Sequence, residues 1–292
     1  MKKIILILSV ILLLAGPVFG ADFVDEVGRK VSLEGKPRRI VSVAPNVTEI
    51  LFSLGLGTRV VGVSTYCQFP PEARKKAKIG GYINPSLEKI VALRPDLVIG
   101  AAEGDLKNFV DRLAALGISV YIINPEDVSG VIRSIENIGA VTFAAQGARQ
   151  MARTMRAQIE TIQKRIQGRP HPRVLHVLSL DPLISAGKGT FVNDLIRLAG
   201  GQNIAGKATA RYPRFSMEEI IRQDPQIIIL SSMRSQDPMT AERKWWSRWE
   251  NISAVRLGRI YVLDADLIHR PSPRIVQGLE KMARVIHPEA FK

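Results

Sequence analysis

The sequence contains an internal repeat, which constrains its fold more than any other feature. The segment Ser86–Ile99 aligns without gaps on the segment Ser216–Ile229. Each copy reads Ser-x-Glu-x-Ile, continues with a helical stretch, and ends in a proline and an apolar run. A serine side chain can cap the start of a helix, and a proline ends the helix because its ring clashes with the preceding turn. Each copy therefore predicts a helix followed by a buried strand.

Two further pairs of segments recur in the same order. Glu49–Gly55 resembles Asp194–Gly200, and each is typical of a helix that ends at a glycine. Val120–Asn124 resembles Ile260–Asp264, and each is typical of a strand. Because three blocks repeat in one order, the sequence predicts two similar α/β lobes instead of one large sheet.

The remaining apolar runs alternate with helical patterns, as in βαβ units built around parallel sheets. Several runs have hydrophobic residues at consecutive positions, which is typical of strands buried on both faces. The predicted strands are Ile40–Ala44, Val60–Ser64, Leu97–Gly100, Val120–Ile123, Val174–Leu178, Ile227–Ser231 and Ile260–Leu263.

A stretch without proline separates the two copies of the repeat. Its apolar residues recur every three or four positions, which predicts one helix from about Val141 to Gln167. Such a helix is roughly 40 Å long, enough to connect two lobes. We expect an N-terminal lobe at residues 21–140, a connecting helix at 141–168 and a C-terminal lobe at 169–292. A helical connector is stiff, so we also expect little movement between the lobes.

The first twenty residues have the pattern of a secretory signal peptide. Lys2 and Lys3 precede an apolar run of about a dozen residues, and Gly16 and Pro17 follow it. The run is well short of the ~20 residues that a transmembrane helix needs. We therefore expect cleavage near Gly20 and an exported, periplasmic and soluble mature protein.

Composition excludes several classes of protein. The formal net charge is +14, and removal of Lys2 and Lys3 leaves +12. An exported protein rarely meets nucleic acid, and no zinc finger or basic run with interleaved aromatic residues is present. Cys67 is the sole cysteine, so this chain forms no internal disulfide. We expect no nucleic-acid partner and a monomeric protein.

Enzymes and binding proteins for bare metal ions are the rival classes. Gly187-Lys188 resembles the end of a phosphate-binding loop, but Pro182 stands at the position of that loop's first glycine. No Gly-x-Ser-x-Gly motif is present, and all four histidines follow residue 170. A zinc or manganese site needs several histidines and carboxylates that converge from both lobes. We therefore expect no catalytic residues, no metal site and no cofactor beyond a transported ligand.

Several blocks of the sequence resemble the substrate-binding proteins of ABC importers for vitamin B12, ferric siderophores and haem. Within that family they are most similar to the cobalamin binders. The resemblance implies two α/β lobes with a ligand cleft between them, and an importer of permease and ATPase subunits as partner. The similar blocks are Arg39–Glu49, Val61–Tyr66, Pro70–Pro71, Ser86–Gly100, Gly187–Thr190 and Arg270–Arg274.

The resemblance also implies which residues face the ligand. Tyr66 and Tyr82 match aromatic positions of cobalamin binders, and Tyr212 lies where the family often has an aromatic residue. An aromatic face can stack on a corrin or porphyrin ring. Arg211 and Arg270 could donate to carboxylates or amides on the rim of such a ligand. Each of these residues could instead be an ordinary surface side chain.

One feature of the cobalamin pattern is missing from this sequence. A third aromatic residue is expected near Gly100-Ala101-Ala102 and is absent there. The ligand classes therefore remain a corrinoid, a ferric siderophore and haem, with the corrinoid preferred.

Glu88 and Glu218 are expected to contact the importer. The family resemblance places these glutamates on the outer tips of the two lobes, facing arginines of the transporter. The repeat indicates the same role, because matched positions on two similar lobes suit a partner with two-fold symmetry. The alternative is that they only complement the dipoles of their helices.

Other residues are expected to have structural roles. Arg274 should pair or cap within the second lobe, and His269 is more often structural than a ligand to a bound metal centre. The three tryptophans should pack a helix end onto the second lobe instead of lining the cleft. They are Trp245, Trp246 and Trp249.

Overall fold

The computed structural model describes residues 20–102, 106–232 and 240–292. The predicted signal peptide, residues 1–20, lies outside these ranges except for Gly20. No helix in the described ranges combines the length and the apolar character needed to cross a bilayer.

The first lobe is an α/β unit built on a five-stranded parallel sheet. The sheet has the order β5-β4-β3-β6-β7, and a separate antiparallel pair, β1-β2, precedes it. Its strands are β1 (Ala21–Val24), β2 (Lys30–Leu33), β3 (Ile40–Ser42), β4 (Val60–Val63), β5 (Ala77–Lys78), β6 (Leu97–Ala101) and β7 (Val120–Ile123). Its helices are α1 (Pro45–Ser53), α2 (Leu87–Ala92), α3 (Leu106–Ala114) and α4 (Val128–Val141).

After the connecting helix α5 (Ala145–Ile166), a four-stranded parallel sheet forms the second lobe. This sheet has the order β11-β8-β12-β13, and β9 and β10 form a small antiparallel pair. The strands are β8 (Arg173–Val177), β9 (Ser179–Leu180), β10 (Leu183–Ile184), β11 (Gln202–Asn203), β12 (Ile227–Ser232) and β13 (Ile260–Asp264). The helices are α6 (Phe191–Leu198), α7 (Met217–Gln223), α8 (Thr240–Trp246), α9 (Ser253–Arg256), α10 (Ala265–Ile268) and α11 (Ile275–Ile286). The predicted fold class, two α/β lobes with parallel sheets, is confirmed.

The internal repeat extends to backbone conformation. Ser86 and Ser216 cap α2 and α7, because the hydroxyl of each serine accepts a hydrogen bond from the backbone N–H three residues later. Eight residues after each serine, Arg94 and Asp224 adopt left-handed φ values of 44° and 43°. A left-handed residue ends a helix, and the proline that follows prevents its resumption. Matched sequences thus end matched helices in the same way.

The connecting helix begins later than predicted. Val141 is the last residue of α4, and the chain turns before α5 begins at Ala145. Phe143 in this turn has a φ of 58°, a left-handed conformation that a continuous helix cannot include. The 22 residues of α5 span about 33 Å. Gly139 allows α4 and α5 to approach closely, because a Cβ there would lie 2.2 Å from that of Ala148.

A continuous apolar core joins the two lobes. Helix α5 packs against α4 of the first lobe and α11 of the second, while α4 also contacts α6. Buried residues from all these helices belong to one cluster that includes strands of both sheets. Burial of apolar surface between the lobes stabilises their arrangement, because separation would expose that surface to water.

Candidate functional site: the cleft between the lobes

Two adjacent cavities lie between the lobes, and together we call them the cleft. The first has a volume of about 300 Å³ and is lined by Ala44, Pro45, Asn46, Tyr66, Tyr82, Ala265, Asp266, His269, Arg270 and Pro271. The second has a volume of about 290 Å³ and is lined by Asn46, Ala101, Ala102, Ile123, Asn124, Pro125, Phe191, Arg211, Tyr212, His269 and Pro271. Many of these residues follow the carboxyl ends of strands, where open parallel sheets bind their ligands.

Tyrosines from both lobes line the cleft. In the first cavity, Tyr66 and Tyr82 pack edge to face, with ring centroids 5.4 Å apart and planes at 82°. Tyr212 borders the second cavity. Residues Tyr66 and Tyr212 are 57% and 56% exposed, so their side chains are accessible to a ligand. All three predicted tyrosines thus border the cleft; their contact with a ligand stays a prediction.

Arg211 and Arg270, the two predicted ligand-binding arginines, have different surroundings. Arg211 is exposed, borders the second cavity, and forms no ion pair within the described ranges. The guanidinium of Arg270 borders the first cavity but is held by two carboxylates. Its Nη1 donates to Oε1 of Glu49 at 3.1 Å, and its Nη2 lies 2.7 Å from Oδ1 of Asp266. The charge of Arg270 is therefore compensated within the protein.

Glu49 also binds Arg274, which corrects the expectation that Arg274 pairs within its own lobe. Nε and Nη2 of Arg274 donate to Oε2 and Oε1 of Glu49 at 2.8 and 2.6 Å. The guanidinium carbon lies 4.0 Å from the ring centroid of Phe69, also in the first lobe. The hydrogen bond to Glu49 raises the pKa of Arg274. Glu49 is 1% exposed, and a carboxylate so deeply buried requires cationic partners.

A second carboxylate also contacts the opposite lobe, and this one belongs to the second lobe. Asp194 on α6 occupies the position that matches Glu49 on α1 in the sequence repeat. Its Oδ2 accepts a hydrogen bond from the backbone N–H of Val128 at 3.0 Å, at the start of α4 in the first lobe. Its Oδ1 lies 2.5 Å from Nη2 of Arg197. Each lobe therefore supplies one carboxylate to the other.

A pair of histidines lies beside the cleft. His176 on β8 is fully buried, and its ring centroid is 5.1 Å from that of His269. Both ring nitrogens of His176 and Nε2 of His269 are buried without hydrogen-bond partners. Burial lowers the pKa of His269 to about 4 and the pKa of His176 well below its ordinary value. Both rings are therefore neutral at pH 7. Sequence reasoning missed His176, which looks like any residue of a buried strand.

The predicted transporter-contacting glutamates lie apart from the cleft lining. Glu88 and Glu218 are exposed and lie in the first turns of α2 and α7. A hydrogen bond from Ser216 lowers the pKa of Glu218, so this carboxyl is ionised at neutral pH. Both positions present a negative charge to solvent at matched points of the two lobes. Their contact with a transporter stays a prediction.

The tryptophans pack onto the second lobe. Trp246 is fully buried in a core cluster of that lobe, and Trp245 and Trp249 pack partly buried against the same cluster. None of the three lines either cavity. In the part of the chain that the structure describes, no three metal-binding side chains of His, Cys, Asp or Glu lie together.

Comparison with known proteins identifies relatives along most of the chain. A family model described as periplasmic binding protein matches residues 40–267. The ABC transporter substrate-binding lipoprotein YvrC of Bacillus subtilis (strain 168) is 33% identical over 283 residues, which cover 94% of this chain and 88% of that protein. The vitamin B12-binding protein of Vibrio vulnificus (strain CMCP6) is 31% identical over 254 residues, 86% of this chain and 91% of the relative.

A solved structure shows the same architecture. The periplasmic haem-binding protein RhuT from Roseiflexus sp. RS-1 superimposes with a TM-score of 0.76 at 27% sequence identity. The match covers 88% of this chain and 100% of that chain. Proteins named for vitamin B12 and for haem are thus both similar to this chain.

Proposed function

The chain belongs to the periplasmic binding protein family of ABC importers, and we propose that it captures a corrinoid of the cobalamin type in the cleft. Proteins of this family bind small molecules and deliver them to a permease and ATPase complex. They are binding proteins rather than enzymes, in agreement with the prediction that this chain is not an enzyme.

Two features of the cleft together support a corrinoid. Its tyrosines have exposed faces, and the charge of Arg270 is balanced by carboxylates of the protein. Tyr66, Tyr82 and Tyr212 offer flat surfaces from both lobes to a broad ring. A corrin ring is such a ligand, and its rim consists mainly of neutral amide groups. Aromatic faces bind a flat ring by stacking, with little loss of side-chain entropy.

The charges of the cleft favour a ligand of low net charge. The charged residues that border it are Arg211, Arg270 and Asp266, which leave one net positive charge. Arg270 is moreover held by Glu49 and Asp266, so its binding of a ligand carboxylate would compete with two carboxylates already in place. A strongly anionic ferric siderophore would need more free cations than these.

Transfer to the importer is assigned to the exposed glutamates. Glu88 and Glu218 present matched negative charges that suit arginines on a two-fold symmetric permease. Ion pairs of this kind mainly set orientation and the rate of encounter. Export is assigned to the signal peptide pattern of residues 1–20.

Equilibrium dialysis of the purified mature chain against cyanocobalamin, haemin and ferric siderophores tests the ligand assignment. We expect saturable binding of one cyanocobalamin per chain and weaker binding of the other ligands. Haem is the second candidate on this cleft, because the RhuT structure is named for haem and Arg211 is free to pair with a propionate. Tight binding of haemin with no retention of cyanocobalamin would reverse this order.

A further inference from the structure

Three residues border both cavities of the cleft. These are Asn46, His269 and Pro271. A ring wide enough to extend from Tyr66 in one cavity to Tyr212 in the other must lie across them. Of the three, only His269 has a nitrogen lone pair of the kind that binds transition metals. The geometry therefore brings an imidazole near the centre of a ligand that fills the cleft.

His269 and its neighbour have unused hydrogen-bonding capacity. Nε2 of His269 is buried without a partner, which leaves Nδ1 as the nitrogen that can face the cavities. His176 is fully buried beside it, with no partner for either nitrogen. Buried polar groups are nearly always hydrogen-bonded, so these three unpartnered nitrogens make the pair of histidines unusual for a protein interior.

Ser42 of the first lobe, which corresponds to His176 of the second, shows that the fold does not require a histidine at this position. His176 pairs with Ile229 on β12, and Ser42 pairs with Ile99 on β6, its counterpart in the repeat. Ser42 is also fully buried, but its Oγ lies 2.7 Å from Oγ1 of Thr48 in a hydrogen bond. A small polar group with a partner is sufficient at this place in the sheet.

We propose that His269 coordinates the central metal of the bound ring, and that the cleft selects corrinoids whose lower axial position holds only water. This inference rests on the proposed function. On binding, an imidazole nitrogen forms a bond to cobalt and a water molecule leaves, with no change in the oxidation state of the metal. The proton of the imidazole stays on the other ring nitrogen. His176 is a positioning residue, because its ring packs against that of His269 with centroids 5.1 Å apart.

The proposed coordination determines which corrinoids should bind best. A cobalamin carries its own base on the lower axial position, and that base competes with His269. Cobinamide lacks this base, so it should be the better ligand.

The test compares diaquacobinamide, dicyanocobinamide and cyanocobalamin with the mature chain, by dialysis and by visible absorbance. We expect diaquacobinamide to bind at least about tenfold more tightly than the other two, with an absorbance change typical of nitrogen coordination to cobalt. In His269→Ala the absorbance change should disappear, and added imidazole should restore it. His171→Ala, which changes an exposed histidine outside the cleft, should behave as the unchanged chain.

His176→Leu tests the positioning role. It should weaken diaquacobinamide binding by about tenfold while the folded protein and its corrinoid absorbance change persist. Tight corrinoid binding with an unchanged ligand spectrum, or an equal spectrum in His269→Ala, would overturn the coordination while the proposed function stands. Failure of all three corrinoids to bind would overturn the corrinoid assignment itself, and with it this inference.

Discussion

Glu49 and Asp194 occupy matched positions on matched helices, and each carboxylate accepts hydrogen bonds from the opposite lobe. Glu49 accepts from Arg270 and Arg274, and Asp194 accepts from the backbone N–H of Val128. The lobes therefore meet as two subunits of a symmetric dimer do, each giving the other the same kind of group. This reciprocal contact joins residues that are far apart in the sequence.

Loss of the Glu49 charge should destabilise the whole protein. In Glu49→Gln the two arginines keep their positive charges in a largely buried site with too little negative charge to balance them. We expect the free energy of unfolding to fall by about 3 kcal/mol in urea titrations, because breaking a buried ion pair leaves an uncompensated charge. Glu136→Gln removes a carboxylate that pairs with Arg156 at the surface and should cost less than about 1 kcal/mol. Equal effects of the two changes would contradict this role of Glu49.

Stacking by Tyr66 should account for a measurable part of ligand affinity. Tyr66→Ala removes a largely exposed side chain that packs edge to face with Tyr82, so the fold should be retained. We expect cyanocobalamin to bind about tenfold more weakly, which corresponds to a loss of about 1.4 kcal/mol. Tyr66→Phe keeps the ring and should stay within about threefold of the unchanged chain, at about 0.7 kcal/mol. Dialysis affinities that do not differ between the two variants would argue against stacking.

The exposed glutamates should act on transport and not on ligand capture. The double change Glu88→Ala and Glu218→Ala should reduce the ability of the ligand-loaded protein to stimulate the ATPase of the reconstituted importer. Affinity for cyanocobalamin should be unchanged, because neither side chain lines the cleft. Glu72→Ala, which removes another exposed carboxylate of the first lobe, is the matched control and should stimulate normally. Full stimulation by the double variant would exclude this docking mode.

His176 and His269 should make the protein less stable in acid. An unfolded histidine has a pKa of about 6.5, whereas burial lowers that of folded His269 to about 4. Between these values the unfolded chain binds protons that the folded chain does not, so stability is full above about pH 6.5 and decreases as the pH falls toward 4. The loss between pH 7 and pH 5 should be about 2 kcal/mol from His269 alone.

Urea titrations at pH 7 and pH 5 measure this loss. His269→Gln should reduce it, and His176→Leu should reduce it as well while raising stability at pH 7, since two unpartnered polar atoms leave the core. His171→Gln should keep the full dependence on pH. If all three variants lost stability equally between the two pH values, the acid sensitivity would originate elsewhere.

The repeat explains why the fold could be predicted from the sequence. Caps at Ser86 and Ser216 and stops at Pro95 and Pro225 are local signals, and each sets the end of a helix without help from distant residues. The turn at Phe143 gives no such signal. Neither proline nor glycine occurs there, and the apolar pattern of α4 runs on into α5. Only the packing of the two helices against each other shows where the chain reverses.

The site was predictable only in part. Tyr66 follows an apolar strand, and Tyr212 precedes a repeated helix. The place of both residues near the cleft could therefore be inferred from their order along the chain. The contact of Arg274 with Glu49 joins residues separated by 225 positions, and nothing in their spacing indicates it. The role of His176 could not be predicted from the sequence either. Its importance comes from the absence of partners in the described fold, which no sequence pattern reveals.

The pairing of Arg270 within the protein also affects how the protein should respond to salt. Dissolved ions compete for charges that face water, and they have little access to charges already matched at short distance inside a protein. Arg270 is matched by Glu49 and Asp266, whereas Glu88 and Glu218 face water. If Glu88 and Glu218 dock the transporter as we propose, a high salt concentration should weaken that docking and leave ligand binding in the cleft unchanged.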